Sequence, residues 1–175
     1  MESLIQLASP LKDVPFTQGE ITARKARMGD IAGMLALING YATDQIMLPR
    51  TEFEMAENIR DFTVALAGDT LVGCGALHIY TPASAEIRSL AVLPTWKRHG
   101  IGRTLMENLE EEAFAFRLQS LFAFTYVPKF FARLGYREVD RGELPLKAWK
   151  DCLRCPKFQC CDEIAVLKWV GDRSA

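Results

Sequence analysis

Residues Trp96 to Leu105 read WKRHGIGRTL. Three basic side chains, Lys97, Arg98 and His99, run directly into Gly100-Ile101-Gly102. From there apolar residues recur four apart at Ile101, Leu105, Leu109 and Ala113, with polar residues between. That spacing predicts an amphipathic helix ending near Leu118. A helix start exposes unpaired N–H groups and the positive end of the helix dipole. Glycine lets another group approach that backbone closely. A phosphate would touch the amides of residues 98 to 103, with Lys97, Arg98 and Arg103 adding positive charge. The competing reading is a structural loop whose glycines only permit tight packing. No Gly-Lys-Ser/Thr follows, so this is not a P-loop. No early G-x-G-x-x-G supports a dinucleotide fold.

Upstream, Glu86 to Val92 reads as a strand ended by Pro94. Before it, Phe62–Ala67 and Leu71–Tyr80 flank the hairpin-type turn Gly68-Asp69. Pro82 to Ser84 makes another break. Nearer the N-terminus, Ile21 to Arg27 predicts a first strand. Asp30 is placed as an N-cap for a helix carrying Ile31, Leu35 and Ile38 up to Gly40. Thr51 and Glu54 form a capping-box pattern opening a second helix to about Arg60. Downstream, Leu121–Thr125 predicts a strand. Pro128 opens a short helix stopped at Gly135. Tyr136–Val139 and Asp162–Trp169 complete the strands. The order, roughly β-α-α-β-β-β-α-β-α-β-β, predicts an α+β (mixed α/β) fold: a central twisted mixed sheet of about 6–7 strands flanked by helices. Residues 1–20 read as an N-terminal extension and 21–175 as one domain, with a cysteine-rich segment at about 145–161.

At 175 residues the chain can bury a proper core. Hydrophobic residues make up 49% and the formal net charge is −1. Nothing in that balance draws the protein to nucleic acid or to an anionic membrane. Apolar runs are too short to span a bilayer. The N-terminus lacks a basic start followed by an apolar core, so a cytoplasmic protein is expected. The five cysteines (Cys74, Cys152, Cys155, Cys160 and Cys161) are an odd count that argues against a disulfide framework. Four of them fall in DCLRCPKFQCCDE. Their C-x2-C-x4-C-C spacing fits a zinc site poorly, because vicinal Cys160 and Cys161 would rarely reach one metal. No metal is expected.

EIRSLAVLPTWKRHGIGRTLMENL resembles the acetyl-coenzyme A signature of the GNAT N-acetyltransferases, in which R/Q-x-x-G-x-G/A leads from a strand into a helix holding the cofactor pyrophosphate. Lys97 stands where that pattern prefers Arg or Gln. The element order agrees over roughly residues 20 to 170. FFARLGY resembles the later F-Y-x-x-x-G-F segment, with Phe131 replacing a tyrosine that often serves as general acid. LPRTEFEMAENIRDF, GCGALHIY, AEIRSLAV, FAFTYVPKFF and LPLKAWKDCLRCPKFQCCDEIAV together resemble the short bacterial N-acetylglutamate synthases. The resemblance implies the GNAT fold, acetyl-coenzyme A as cosubstrate, L-glutamate as acetyl acceptor and a place in arginine biosynthesis. It leaves a homodimer open. It also implies a cofactor site at Leu90, Ala91, Val92, Lys97, Arg98, His99, Gly100, Ile101, Gly102 and Arg103.

Glu86 and Arg88 lie two apart in a strand and so share a face, with Leu90 and Val92 continuing it if no bulge intervenes. One reading is a solvated ion pair worth little. The other makes Glu86 the base that deprotonates the substrate ammonium, since only the neutral amine attacks a thioester. Arg50 is either a surface arginine opposing a helix dipole or a bidentate carboxylate ligand. The resemblance places a substrate-binding arginine in its stretch. Arg50, Arg88 and Ser89 form the expected substrate-binding set. Tyr126 is either a core-capping tyrosine or the acid that protonates the leaving thiolate. His78 reads as a core histidine and His99 as a loop residue near phosphate. Lys147, Trp149 and Lys150 are candidates for covering the substrate. The alternatives are an acetyltransferase for another amine, a non-catalytic acyl-coenzyme A sensor and a zinc-linked module.

Overall fold

The computed structural model describes residues 20–145, 153, 155 and 157–171. Among the described residues, seven strands form one mixed sheet: β1 (Ile21–Lys25), β2 (Phe62–Ala67), β3 (Thr70–Thr81), β4 (Ser84–Val92), β5 (Ser120–Thr125), β6 (Arg137–Glu138) and β7 (Ile164–Trp169). Their spatial order is β1-β2-β3-β4-β5-β7-β6. The helices are α1 (Ile31–Thr43), α2 (Glu52–Glu57), α3 (Ile101–Ala115) and α4 (Pro128–Ala132). The predicted order and fold class hold, with boundaries shifted by a few residues. Helix α1 runs past Gly40, where no breaker follows, to Thr43. The expected second helix gives way after Glu57 to a 3-10 turn at Ile59–Asp61. The third ends at Ala115, because Arg117 turns left-handed (φ 57°) and buries Leu118 beneath the helix end.

Local chemistry explains the element starts. Thr51 Oγ1 accepts from the Glu54 N–H (3.2 Å), and the Glu54 carboxylate accepts from the Thr51 N–H (2.9 Å). That closes the capping box and satisfies two orphan donors. Six residues would not hold a helix alone; Met55, fully buried, anchors it. Asp30 does precede α1, but its side chain makes no cap bond there. Its carboxylate instead takes Arg24 (2.7 and 3.0 Å) and the Arg27 N–H (2.7 Å). The Arg24 hydrogen bond, above all, holds that carboxyl below its ordinary range.

Strands β4 and β5 are parallel neighbours, and they pair only from Ser84, Ala85 and Glu86 to Ser120, Leu121 and Phe122. Beyond Glu86 they diverge. On the other side of β4 the register to β3 slips: Arg88 faces Ala76, Ala91 faces Cys74, and Ser89 and Leu90 stand against Gly75 alone. This is a β-bulge, and Ser89 carries a φ of 52°. Leu90 and Val92 were to continue the face of Glu86 and Arg88 only if no bulge intervened, and this bulge takes them off it. A Cβ at Gly75 would lie 3.0 Å from Leu90 Cδ1 and 3.1 Å from Leu109 Cδ1. Leu90 therefore lies on the α3 side, with Ile87. Inserting one residue reverses the parity of every side chain after it.

Candidate active site

The divergence of β4 and β5 opens a cavity of about 410 Å³. Its walls include Arg50 from the loop before α2, Glu86, Arg88, Ser89 and Leu90 from β4, and Tyr126 just past β5. The predicted substrate-binding and catalytic residues thus come together in one place. Glu86 is the last paired residue before the split and is 8% exposed. The Arg88 guanidinium lies 4.0 Å from Asp61, while Glu86 Oε2 accepts from the Tyr80 hydroxyl at 3.0 Å. Glu86 and the Arg88 side chain, 11% exposed, are both withdrawn from water, which excludes a solvated pair on an exposed strand. His78, the cross-strand partner of Glu86, is half-buried, and its Nδ1 lies 2.6 Å from Asp61 Oδ2.

Arg50 is held by its backbone. Asn39 of α1 accepts from the Arg50 N–H (2.9 Å) and donates to its carbonyl (3.0 Å). One side-chain amide thereby fixes the loop that brings the guanidinium to the cavity. Tyr126 is not a plain core cap with its hydroxyl in water. The hydroxyl donates to Asp162 (2.8 Å) and accepts from Lys157 Nζ (3.2 Å). Burial, then the Asp162 bond, pushes the phenol pKa up, so it stays protonated at neutral pH. We expect Tyr126→Phe to lower turnover by less than about tenfold, because a thiolate of pKa about 8.5 needs modest help to leave. A loss near 10²-fold in steady-state thiol release would instead make Tyr126 the acid.

The loop WKRHGIGRTL sits where the sequence puts it. Trp96 is buried and seats the loop, Lys97 lies 5.0 Å over the Tyr41 ring, and the His99 ring meets Trp96 edge-on at 6.4 Å. Gly100 is the residue before α3, at φ 81°, and as a glycine it brings no side-chain cap to the first N–H groups of the helix. Arg98 is also left-handed, at φ 68°. The two glycines divide the competing readings. A Cβ at Gly102 would lie 3.3 Å from the Phe130 ring, so Gly102 does permit tight packing, whereas a Cβ at Gly100 would meet open space. Gly100 is there for its conformation.

Several wall residues escaped the sequence reading: Arg141, Cys155, Lys157, Cys161 and Glu163. Arg141 donates to the Glu163 carbonyl (2.6 Å) and to Cys161 Sγ (3.0 Å). Burial, foremost, raises the Glu163 pKa. The cysteine-rich segment thus reaches the cavity, although Lys147, Trp149, Lys150 and Cys152 lie outside the described residues. Cys74 is fully buried, and burial pushes its thiol up to about 12, which leaves it inert.

The sequence profile of the acetyltransferase (GNAT) family matches residues 27–136. The chain belongs to the GNAT acetyltransferase family. It is an acyltransferase. An uncharacterized N-acetyltransferase of Chlorobaculum tepidum is 42% identical over 145 residues, which are 83% of this chain and 94% of the relative. An amino-acid acetyltransferase of Mycobacterium tuberculosis is 36% identical over 134 residues, 75% of this chain and 76% of that one. Among solved structures, N-acetylglutamate synthase from Neisseria gonorrhoeae, complexed with coenzyme A and N-acetyl-glutamate, superposes with a TM-score of 0.79 at 25% identity. The match covers 88% of this GNAT chain and 36% of that one. Among the described residues, no helix is long and apolar enough to cross a membrane.

Proposed function

We propose that this GNAT enzyme transfers the acetyl group of acetyl-coenzyme A to the amine of L-glutamate, giving N-acetylglutamate and coenzyme A. The observation that carries the reading is the convergence of one buried carboxylate, Glu86, and two arginines, Arg50 and Arg88, on a single cavity at the strand split. The names of the relatives support it. As in the short synthases it resembles, the product would enter arginine biosynthesis in the cytoplasm.

In this reading the pyrophosphate of coenzyme A lies on the amides of Arg98 to Arg103 at the start of α3, with Lys97, Arg98 and Arg103 around it. The acetyl-bearing end follows the gap between β4 and β5, where β5 no longer pairs with β4. Backbone N–H groups at Leu90 to Val92 polarise the thioester oxygen. Arg50 and Arg88 hold the substrate carboxylates, with Ser89 beside them. Glu86 takes a proton from the ammonium, directly or through a water. The amine nitrogen then bonds to the carbonyl carbon, the carbon–sulfur bond breaks, and the thiolate departs and is protonated. Tyr126, with Lys157 bonded to its hydroxyl, lines the same cavity and can help supply that proton.

Thiol release from acetyl-coenzyme A, measured against the twenty amino acids, tests this. Glutamate is expected to give the highest kcat/KM. If no amino acid raised release above hydrolysis, the proposal would fail. The phosphate loop has its own test. Valine at position 100 has to adopt a left-handed conformation costing about 1–2 kcal/mol, which distorts the amides. Gly100→Val should therefore raise the Kd for coenzyme A by about tenfold. Lys97→Ala should change it far less. Calorimetry showing unchanged affinity for Gly100→Val would remove the loop from the cofactor site.

A further inference from the structure

Tyr80 sits where β3 breaks register with β4 a second time. Ile79 pairs with Ala85 and Thr81 with Ser84, so Tyr80 is the extra residue of a bulge and stands opposite no residue of β4. Bulges beside active sites re-aim side chains. Tyr80 is two residues from His78, and His78 is the direct partner of Glu86, so the three side chains share one face. The Tyr80 ring is held on both sides. His78 meets it edge-on at 4.9 Å, and Phe122, the β5 partner of Glu86, lies at 5.8 Å. Its hydroxyl ends 3.0 Å from Glu86 Oε2.

A carboxylate only 8% exposed has little water to solvate its charge, and burial favours its neutral form. A base has to be ionised to act. Other charges around it pull both ways. Arg88 lies two residues along β4, Asp61 and His78 form a pair beside it, and Arg50, Tyr126, Arg141, Lys157 and Glu163 are in the same cavity wall. A phenol donating to the carboxylate stabilises the charged form and fixes its rotamer. We propose that Tyr80 is a positioning residue for Glu86: the bulge in β3 holds its phenol against the carboxylate and keeps Glu86 ionised and aimed. The proposal rests on the reading of Glu86 as the base. Tyr80 itself gives up no proton in the reaction.

The test compares Tyr80→Phe, Glu86→Gln and the double variant by acetyl-transfer kinetics from acid to alkaline pH. Tyr80→Phe should lower kcat at neutral pH by about tenfold, the size of one hydrogen bond to a charged group. Without the donor the carboxylate protonates more easily, so the acid limb of the pH–rate profile should move to higher pH. The KM for acetyl-coenzyme A should stay put. In the Glu86→Gln background, Tyr80→Phe should cost little more. A wild-type profile for Tyr80→Phe, or an equal extra loss in the Glu86→Gln background, overturns the proposal while leaving Glu86 as base. Full activity of Glu86→Gln overturns both. If Tyr80→Phe folds poorly, ring-fluorinated tyrosine at position 80 keeps the shape and donates more strongly. The acid limb should then move to lower pH, and an unmoved limb rejects the role.

Discussion

Glu86→Gln should lower turnover by about 10²-fold or more while leaving coenzyme A binding intact. Glutamine keeps the shape of glutamate, and its amide oxygen can still accept from the Tyr80 hydroxyl seen at 3.0 Å. The fold around β3 and β4 is therefore expected to survive. What glutamine cannot do is take a proton from the substrate ammonium. At neutral pH nearly all of the substrate is ammonium, so the variant must wait for the rare neutral amine. As pH rises toward the pKa of the amine, the neutral fraction grows and the deficit should shrink. Wild type and variant should therefore converge on the alkaline side of the pH–rate profile. Parallel profiles at nearly equal rates would exclude Glu86 from proton transfer.

The sheet and the glycine loop before α3 were legible in the sequence because both are written in local patterns. The shift from alternation to four-residue spacing at Gly100 marks the β-to-α change, and Gly68-Asp69 and the Thr51–Glu54 box mark turns and caps. The two bulges of the β3–β4 pair were not legible. A bulge is a property of two strands at once, and nothing local at Ser89 or Tyr80 announces it. Missing the first reversed the expected face of Leu90 and Val92. Missing the second hid Tyr80, although the parity of His78 and Tyr80 with Glu86 across the Pro82-Ala83 turn was a usable signal. Asn39 was invisible for another reason. Its grip on Arg50 joins α1 to a loop eleven residues later, and no periodicity encodes such a contact. Likewise, Cys155, Lys157, Cys161 and Glu163 reach the cavity because β7 lies beside β5, a non-sequential pairing that spacing does not reveal.

Specificity should follow the number and spacing of carboxylates on the acceptor. Arg50 and Arg88 face the same cavity, and a guanidinium presents a fixed fork that matches a carboxylate. Aspartate is one methylene shorter and cannot fill both forks without strain. Glutamine keeps its α-carboxylate but offers a neutral amide to the second fork. Arg88 already has Asp61 at 4.0 Å, which offsets part of its charge when no carboxylate arrives. Arg50 is positioned by the Asn39 clamp on its backbone. A guanidinium closed off from water by the bound substrate but denied its carboxylate costs several kcal/mol, so glutamine and aspartate should fall about 10²-fold or more below glutamate in kcat/KM. Arg50→Ala should raise the KM for glutamate more than it lowers kcat, because the contact is made in the ground state as well as in the transition state. It should also narrow the gap between glutamate and glutamine. Arg50→Lys should not restore the wild-type KM, since an ammonium has no fork. Equal kcat/KM for glutamate and glutamine in the wild-type enzyme would reject the dicarboxylate clamp, and with it glutamate as the preferred acceptor, while acetyl transfer to an amine at Glu86 would stand.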